Sequence, residues 1–239
     1  FGHLGERILQ KISHDEAGQR FWHEQQGLHV VDSIETLLDP TGKTQNLMLT
    51  YAVRDGIISH CGEVRSTVIR PREEAMDLND IERPSQYAPY TWEGCVVKIA
   101  DKIAYLGRDI EDAVRLGILK EDGKPLQDLL KELNSYSKEP IQSVTNTSIM
   151  YPLITDICRE SSPEAGLVLS QSHINMMDAV MRFNYAHIYK NKRLEVYHSY
   201  ARLILESVYK LLRECYDGTE TMNNIRLLAK DYPTLGRHF

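Results

Sequence analysis

The sequence has few cysteines, and none of them lies close to another. Cys61, Cys95, Cys158 and Cys215 are widely scattered, and no Cys-x-x-Cys pair occurs. This spacing is typical of reduced thiols in a cytoplasmic protein and not of a disulfide framework. The sequence also lacks any apolar run near the roughly 20 residues that cross a bilayer, and it lacks the pattern of a secretory leader. We therefore expect a soluble, cytoplasmic protein.

An excess of positive charge is also missing. Lys and Arg number 28 against 34 Asp and Glu, which gives a net charge of −6. This balance argues against broad nucleic-acid binding, because the overall field repels a phosphate backbone. The sequence has no Gly-rich phosphate loop either. A ligand that carries phosphate must therefore be held by a local cluster of charges or by a metal ion.

Strand-like alternation of useful length and internal repeats are absent as well, so the sequence predicts an all-α fold. A chain of 239 residues, 42% of them hydrophobic, suffices for one large helical domain, with or without an appendage. The apolar periods predict helices over 1–19, 20–39, 47–60, 93–114, 126–133, 149–157, 175–189 and 194–216. Residues 62–92 are rich in charge and proline. They predict a long loop, either a solvated excursion or a lid over a pocket, with arginines placed to contact phosphate.

The helix predicted over 93–114 carries unusual polar groups on an otherwise apolar segment. Asp101, Tyr105 and Asp109 recur at every fourth position, so they share one stripe of the helix. Such a stripe has two explanations: its carboxylates are structural, either paired or exposed, or Asp101 is a metal ligand in a cleft. His60 and Cys61 suggest a metal ligand or a nucleophile in the same way, but the sequence supplies no third partner for them.

Three motifs, in order along the chain, resemble those of one enzyme family. Residues 97–114, Val-Lys-Ile-Ala-Asp-Lys-Ile-Ala-Tyr-Leu-Gly-Arg-Asp-Ile-Glu-Asp-Ala-Val, resemble the last signature of the HD-domain deoxynucleoside triphosphate triphosphohydrolases, the deoxyguanosine triphosphate triphosphohydrolase-like family. Phe1-Gly-His-Leu-Gly-Glu6 resembles the family's Gly-His-x-Gly-Glu. Phe21-Trp-His-Glu-Gln-Gln-Gly-Leu-His-Val-Val31 resembles its Phe-x-His-x-x-Gln-Ser-Leu-x-Val-Val. The resemblance implies an HD-domain helical bundle, N-terminally truncated, over 1–135, with additional C-terminal helices over 136–239 packed on it.

The resemblance implies a metal centre and a catalytic group. Asp101 would complete a mixed histidine and carboxylate site for a divalent ion, which could be Mn, Mg, Fe, Co or Ni. His3 would transfer a proton and Glu6 would activate or orient water. His23 would contact phosphate or assist proton transfer, a role that suits imidazole because its pKa is close to neutral pH. We expect Asp101 to share one cavity with His3, His23 and the rest of its stripe.

The resemblance also implies how a substrate is bound. Lys102 would contact the phosphates, Tyr105 would pack on the sugar and exclude a 2′-hydroxyl by crowding, and Asp109 would accept a hydrogen bond from the 3′-hydroxyl. The implied reaction is metal-dependent hydrolysis of deoxynucleoside triphosphates, dGTP or several of them, to a deoxynucleoside and inorganic triphosphate. The implied partners, besides this substrate, are a nucleotide effector and further copies of the chain in a homo-oligomer.

One adjacent His-Asp pair is misleading. His14-Asp15 lies after the Gly-His-x-Gly-Glu motif, whereas the family's metal-binding pair precedes it, so we interpret His14-Asp15 as a surface dipeptide. The upstream histidine and His-Asp ligands are then absent from this sequence. Two other functions stay open: an HD-domain phosphohydrolase acting on nucleoside monophosphates or cyclic nucleotides, and a nucleotide-binding module without turnover.

Overall fold

The structure, a computed structural model, describes residues 2–62, 68–216 and 218–231. Its helices are α1 (Gly2–Ala17), α2 (His23–His29), α3 (Tyr51–Ser59), α4 (Trp92–Arg115), α5 (Lys124–Tyr136), α6 (Asn146–Glu160), α7 (Gln171–Asn184), α8 (Arg193–Cys215) and α9 (Thr221–Asp231). Short strands form two antiparallel pairs, β1 (Thr36–Leu38) with β2 (Thr44–Asn46) and β3 (Val68–Ile69) with β4 (Leu167–Val168). Helices dominate the described residues, which confirms the predicted all-α class.

The chain divides into two compact units. One contains residues 1–21 and 195–239, and the other contains residues 22–194. The first unit holds α1, most of α8, and α9. The domain boundary predicted at residue 135 stays a prediction. Within the described residues, no helix is long and apolar enough to pass through a bilayer.

The His-Asp dipeptide of α1 lies on the surface of the first unit, as predicted. Both side chains are exposed, at 79% for His14 and 48% for Asp15. Asp15 forms an ion pair with Lys11 one turn earlier, with Nζ and Oδ2 2.5 Å apart. An exposed carboxylate that pairs with a lysine on its own helix has an ordinary structural role.

In the second unit, α4 is the central helix. It begins after Thr91, whose hydroxyl accepts a hydrogen bond of 3.1 Å from the amide of Gly94. One face of α4 packs against α3, α6 and α7. The buried apolar residues of that face are Cys95, Ile99, Ile103, Leu106, Ile110 and Ala113. These apolar residues recur with the helical period and therefore occupy one side of α4. The stripe that contains Asp101 lies on the other side of the helix.

A glycine lets α6 approach α4 closely. A Cβ on Gly107 would lie 2.6 Å from the Cα of Asn146, the first residue of α6. The amide of Asn146 donates to the Glu111 carboxylate of α4 at 2.8 Å, which satisfies one of the unpaired amides at the start of the helix. These contacts fix the N-terminus of α6 on the middle of α4.

A second, smaller apolar cluster lies beneath α2 and α3. Its buried members are Trp22, Leu28, Ile58, Leu78 and Ile81. The cluster joins the start of α2 to the end of α3, and the side chains that emerge there are His23 and His60. Packing of these two helices therefore determines where the two imidazoles lie.

The helix predicted over 20–39 is wrong beyond Ile34. α2 ends at His29, a π-helical turn covers Val30–Ile34, and the chain then enters the hairpin of β1 and β2. Asp39 causes the reversal: its Oδ1 accepts hydrogen bonds from the amides of Thr41, at 2.9 Å, and Lys43, at 3.0 Å. Such side-chain bonds to the backbone compete with helix formation, and they favour a turn. The hairpin strands have only three residues each, so they do not change the all-α class.

Acid should open this turn through Asp39. Its pKa is lowered from 3.8 to about 2 by hydrogen bonds from the Thr41 hydroxyl, the Gln45 amide and the Lys43 backbone. A carboxylate whose pKa is lower in the folded state stabilises it fully above 3.8, and the contribution disappears as the pH falls towards 2. Amide resonances of Thr41 and Lys43, followed by NMR, should shift in that window. The Asp39→Asn variant should lack the transition, and an equal shift in that variant would contradict the assignment.

Candidate active site

The predicted stripe of α4 lies on the open side of the helix. Asp101 is exposed, Tyr105 is 39% exposed and Asp109 is half-buried. The expectation that Asp101 shares one cavity with His3 and His23 stays a prediction; in the described part of the chain, the Asp101 side chain is exposed. The physical reason is that α3, α6 and α7 cover the opposite, apolar face of α4. The stripe is an accessible surface with two carboxylates and a phenol.

Asp109 is held by a residue that the sequence did not single out for function. The hydroxyl of Tyr189, from the π-helical turn that follows α7, donates a hydrogen bond to the Asp109 carboxylate. Burial raises the pKa of Tyr189 well above its ordinary value, and the hydrogen bond to Asp109 and its negative charge raise it further. Tyr189 therefore remains a hydroxyl donor at any physiological pH. The pair shows that Asp109 accepts a hydrogen bond from a hydroxyl group.

Two lysines are buried along α4, next to the exposed stripe. Lys98 is 7% exposed and Lys102 is 6% exposed. Burial lowers the pKa of Lys98, and the positive charge of Lys102 adds to this effect, while Cys61 and Glu24 oppose it. A buried ammonium group is costly unless anions or oxygen acceptors surround it.

Lys98 caps the C-terminal end of α3. Its ammonium group donates to the carbonyl oxygens of Ser59 at 3.0 Å, His60 at 3.4 Å and Cys61, and to the Ser85 hydroxyl at 3.3 Å. The last carbonyls of a helix have no partner within the helix, and a cation there also interacts favourably with the helix dipole. Lys98 therefore fixes the backbone that carries His60 and Cys61.

Removing this cap should destabilise the protein. In Lys98→Met, buried carbonyl oxygens lose their donor, and we expect the free energy of unfolding to fall by about 1–3 kcal/mol. Lys131→Met is the matched control, because Lys131 is 80% exposed and lies 3.9 Å from its partner Asp128. A surface change of this kind should stay within about 0.5 kcal/mol. Urea denaturation measures both variants, and equal values would show that the cap contributes nothing.

A cluster of nitrogen and sulfur donors lies where α2 meets the end of α3. We call His23, His60 and Cys61 the His–His–Cys cluster; one donor atom from each lies within 4.8 Å of the others. The Nε2 of His23 is 3.2 Å from the Cys61 sulfur, and the two imidazole rings are 5.8 Å apart. His23 is thus the third partner that sequence reasoning did not find for His60 and Cys61. Only the fold brings it there, because His23 precedes Cys61 by 38 positions.

A buried acid adjoins this cluster, and sequence reasoning missed it. Glu24 is 2% exposed, and its Oε2 lies 3.4 Å from the Nδ1 of His23. The signal that could have identified it is its spacing from Leu28: the two are four positions apart, so Glu24 shares the buried face of α2. The side chain of His23 is itself 42% exposed. One nitrogen of His23 therefore faces a buried carboxylate, and the other faces Cys61.

Cys61 is not an activated nucleophile. Burial raises its pKa to about 12, and the negative charges of Glu24 and Asp101 contribute to the increase, while Lys98 opposes it. The thiolate is the reactive form of cysteine, and at neutral pH almost none is present at such a pKa. The nucleophile interpretation of Cys61 is therefore not supported. The same effect shows that Asp101 lies near enough to the cluster for its charge to act on it.

The loop before α4 is anchored through a buried ion pair. Asp55 of α3 is fully buried; its Oδ1 lies 2.5 Å from Nη2 of Arg72, and its Oδ2 accepts a hydrogen bond of 2.7 Å from the amide of Tyr90. Arg72 also donates to the Ala88 carbonyl at 2.9 Å. The sequence suggested phosphate contacts for the arginines of this loop, but Arg72 is occupied in this structural network. Another of them, Arg65, lies outside the described residues.

The remaining predicted residues belong to the first unit. His3 and Glu6 are both on α1, and Glu6 is half-buried. The side chain of His3 lies outside the part of the molecule that the structure describes. The catalytic roles expected for both residues stay predictions.

No family model matches the chain. Several curated relatives match it in sequence. A deoxyguanosinetriphosphate triphosphohydrolase-like protein of Clostridium perfringens (strain SM101 / Type A) is 31% identical over 208 residues, which are 87% of this chain and 51% of the relative. A protein of the same description from Desulfatibacillum aliphaticivorans is 29% identical over 233 residues, 96% of this chain and 54% of the relative.

A third protein of this description, from Caldanaerobacter subterraneus subsp. tengcongensis, is 27% identical over 222 residues, 93% of this chain and 52% of the relative. The chain therefore spans about half the length of the curated relatives that it matches. These matches extend over most of the chain and agree with the motifs at residues 1–6, 21–31 and 97–114. Over the length that it shares with these relatives, the chain belongs to the deoxyguanosinetriphosphate triphosphohydrolase-like family.

Proposed function

We propose that the protein is a metal-dependent hydrolase of deoxynucleoside triphosphates, which it converts to a deoxynucleoside and inorganic triphosphate. The observation that supports this best is the order of side chains along α4. Asp101 is exposed beside the buried Lys102, and Tyr105 and Asp109 follow at one-turn intervals. A deoxynucleoside triphosphate offers charged oxygens, then a sugar ring, then a 3′-hydroxyl. Cation, aromatic ring and hydrogen-bond acceptor occur on α4 in the same order.

Asp101 is the proposed metal ligand of this site. A carboxylate suits Mn, Mg, Fe, Co and Ni, and an exposed side chain is accessible to such an ion. One carboxylate is too few to hold a divalent ion tightly, so the proposal requires additional ligands. The resemblance assigns these to a histidine and a His-Asp pair that precede the Gly-His-x-Gly-Glu motif in the family. When bound, the ion would reduce the charge of the phosphate and polarise it towards attack.

Lys102, Tyr105 and Asp109 are the proposed substrate contacts. Lys102 would pair with phosphate oxygens through its ammonium group. Tyr105 would lie against the sugar and exclude a 2′-hydroxyl by steric conflict. Asp109 already accepts a hydrogen bond from the Tyr189 hydroxyl, and we assign it the same function towards the 3′-hydroxyl. Substitution of Asp109 should then weaken substrate binding more than it slows the chemical step.

The proposed chemical step is attack of water on the α-phosphorus. A bond forms between the water oxygen and phosphorus, and the bond from phosphorus to the 5′ oxygen of the sugar breaks. That oxygen takes up a proton as the deoxynucleoside leaves. We assign proton transfer to His3 and the orientation of water to Glu6. His23, which has one nitrogen facing the buried Glu24, would contact phosphate or assist the proton transfer.

The proposal is tested by product analysis. Full-length protein is incubated with each deoxynucleoside triphosphate in the presence of Mn or Mg, and the products are separated by ion exchange. We expect a deoxynucleoside and inorganic triphosphate, with little turnover of the corresponding ribonucleotides. Hydrolysis of nucleoside monophosphates or cyclic nucleotides instead would favour the alternative phosphohydrolase function. Nucleotide binding without turnover would favour a binding module. Assembly of the chain into a homo-oligomer and binding of a nucleotide effector are further predictions, and the same preparation can be used to test them.

A further inference from the structure

The His–His–Cys cluster has the chemistry of a soft-metal site. Its donors are two imidazoles and one sulfur, whereas Asp101 offers an oxygen. Zinc binds histidine nitrogen at about 2.0–2.1 Å and cysteine sulfur at about 2.3 Å in tetrahedral geometry, which separates neighbouring donors by about 3.3–3.8 Å. The 3.2 Å between His23 Nε2 and the Cys61 sulfur is close to this separation, and the whole set fits within 4.8 Å. Binding of an ion would therefore require only small movements of these three side chains.

Both imidazoles are oriented as metal ligands usually are. A ligating histidine directs its second ring nitrogen to a carbonyl or carboxylate oxygen, which fixes the tautomer and leaves the other nitrogen with its lone pair. His60 Nδ1 lies 2.7 Å from the Ile57 carbonyl, one turn earlier in α3. His23 Nδ1 lies 3.4 Å from the Glu24 carboxylate. In His23 the opposite nitrogen, Nε2, faces the Cys61 sulfur at 3.2 Å, which is the direction from which an ion would bind.

Glu24 gives an independent indication of a ligand. Its Oε2 is buried and lies 3.4 Å from the Nδ1 of His23, without a well-formed hydrogen bond. A buried carboxylate oxygen that is only weakly bonded is costly and needs an explanation. A cation on the far side of His23 supplies one, because it holds the ring with Nδ1–H towards Glu24 and offsets the buried negative charge. The negative charge of the Asp101 carboxylate also acts on the Cys61 thiol.

The backbone around Cys61 is built to hold its position. Lys98 and Ser85 both hydrogen-bond the Cys61 carbonyl. The next residue, Gly62, has a positive φ of 105°, and a Cβ there would lie 1.9 Å from the Ser85 hydroxyl oxygen. Only glycine fits at that position. Cys61 is thus presented to the two histidines by a fixed turn.

We propose that His23, His60 and Cys61 bind a soft divalent ion of the zinc type, through ligands other than Asp101. Three protein ligands leave the fourth tetrahedral position to water. Binding would convert Cys61 to its thiolate with release of a proton. If His23 serves catalysis as proposed above, an ion here would withdraw it from that role, so the site would inhibit turnover. The binding itself does not depend on the proposed function.

Cobalt is the probe, because a thiolate ligand gives Co²⁺ a charge-transfer absorption in the near ultraviolet that histidine and carboxylate ligands do not give. Full-length protein titrated with CoCl₂ should acquire this absorption, and added zinc should remove it. Cys61→Ser should abolish the absorption, and His60→Gln should weaken cobalt binding by at least about 10-fold. The matched control is Cys158→Ser, because Cys158 is exposed on α6 and distant in sequence from the cluster. It should behave as the unaltered protein does.

Two outcomes would overturn the proposal: no charge-transfer absorption in the unaltered protein, or an absorption that persists in Cys61→Ser. Circular dichroism of each variant establishes that it is folded, so that loss of absorption is not caused by unfolding. The readout requires no turnover. A protein that acquires the absorption but hydrolyses no nucleotide supports the metal site and contradicts only the proposed function. A protein that hydrolyses nucleotides but acquires no absorption contradicts only the metal site.

Discussion

Replacing Asp101 by asparagine in the full-length protein should lower kcat/KM for a deoxynucleoside triphosphate by more than about 100-fold. The reason is that even the outer partners of metal ligands contribute about 10 to 100-fold to affinity or activity, and a direct ligand should contribute more. Asparagine keeps the size of the side chain but removes its charge. Because Asp101 is exposed, its replacement should not lower the free energy of unfolding by more than about 0.5 kcal/mol. Steady-state kinetics with varied Mn concentration measure the effect.

Asp112→Asn is the control for this substitution. Asp112 is on the same helix, its side chain is 47% exposed, and its Oδ2 lies 3.5 Å from Nε of Arg108 four residues earlier. That pair is an exposed i,i+4 ion pair, so its loss should change kcat/KM less than about twofold. If Asp101→Asn retained full activity, or if Asp112→Asn lost as much, the proposed metal ligand on α4 would be wrong.

Replacing Arg72 by methionine should be the most destabilising of the changes considered. It leaves the fully buried carboxylate of Asp55 without its cation, and removal of one partner of a buried ion pair costs about 3–5 kcal/mol. The loss also frees the Ala88 carbonyl and detaches the loop before α4. We expect the free energy of unfolding, measured by urea denaturation, to fall by this amount.

Two further variants distinguish the effect of losing the ion pair from the effect of any change in the loop. Arg83→Met alters an exposed arginine of the same loop and should change the free energy of unfolding by less than about 0.5 kcal/mol. The double variant Asp55→Asn with Arg72→Met removes the unpaired charge and should recover part of the stability that Arg72→Met loses. An Arg72→Met protein as stable as the unaltered one would contradict a structural role for this pair.

The sequence predicts α4 well because the information is local. The Thr91 cap, the apolar period and the recurrence of Asp101, Tyr105 and Asp109 all lie within one helix, so the stripe follows from helical geometry. Helical geometry alone does not predict that Asp101 is exposed. Which side of a helix is covered depends on the elements that pack against it, and those are distant in sequence.

The parts of the site that the sequence does not predict all depend on contacts between distant segments. His23 meets Cys61 across 38 positions, and Lys98 reaches the Cys61 carbonyl across 37. No local pattern encodes such pairs. The hairpin after α2 is missed for a different reason: Leu37 and Leu38 continue an apolar period, yet they are 62% and 73% exposed because the Asp39 turn reverses the chain.

The central claim is that water attacks the α-phosphorus of a deoxynucleoside triphosphate and that the bond from this phosphorus to the 5′ oxygen of the sugar breaks. It is tested most directly by running the reaction of the full-length protein in water labelled with the heavy isotope of oxygen, and then analysing both products by mass spectrometry. Attack at the α-phosphorus predicts one labelled oxygen in inorganic triphosphate and none in the deoxynucleoside. Label in the deoxynucleoside, or label in a monophosphate released together with pyrophosphate, would contradict the account.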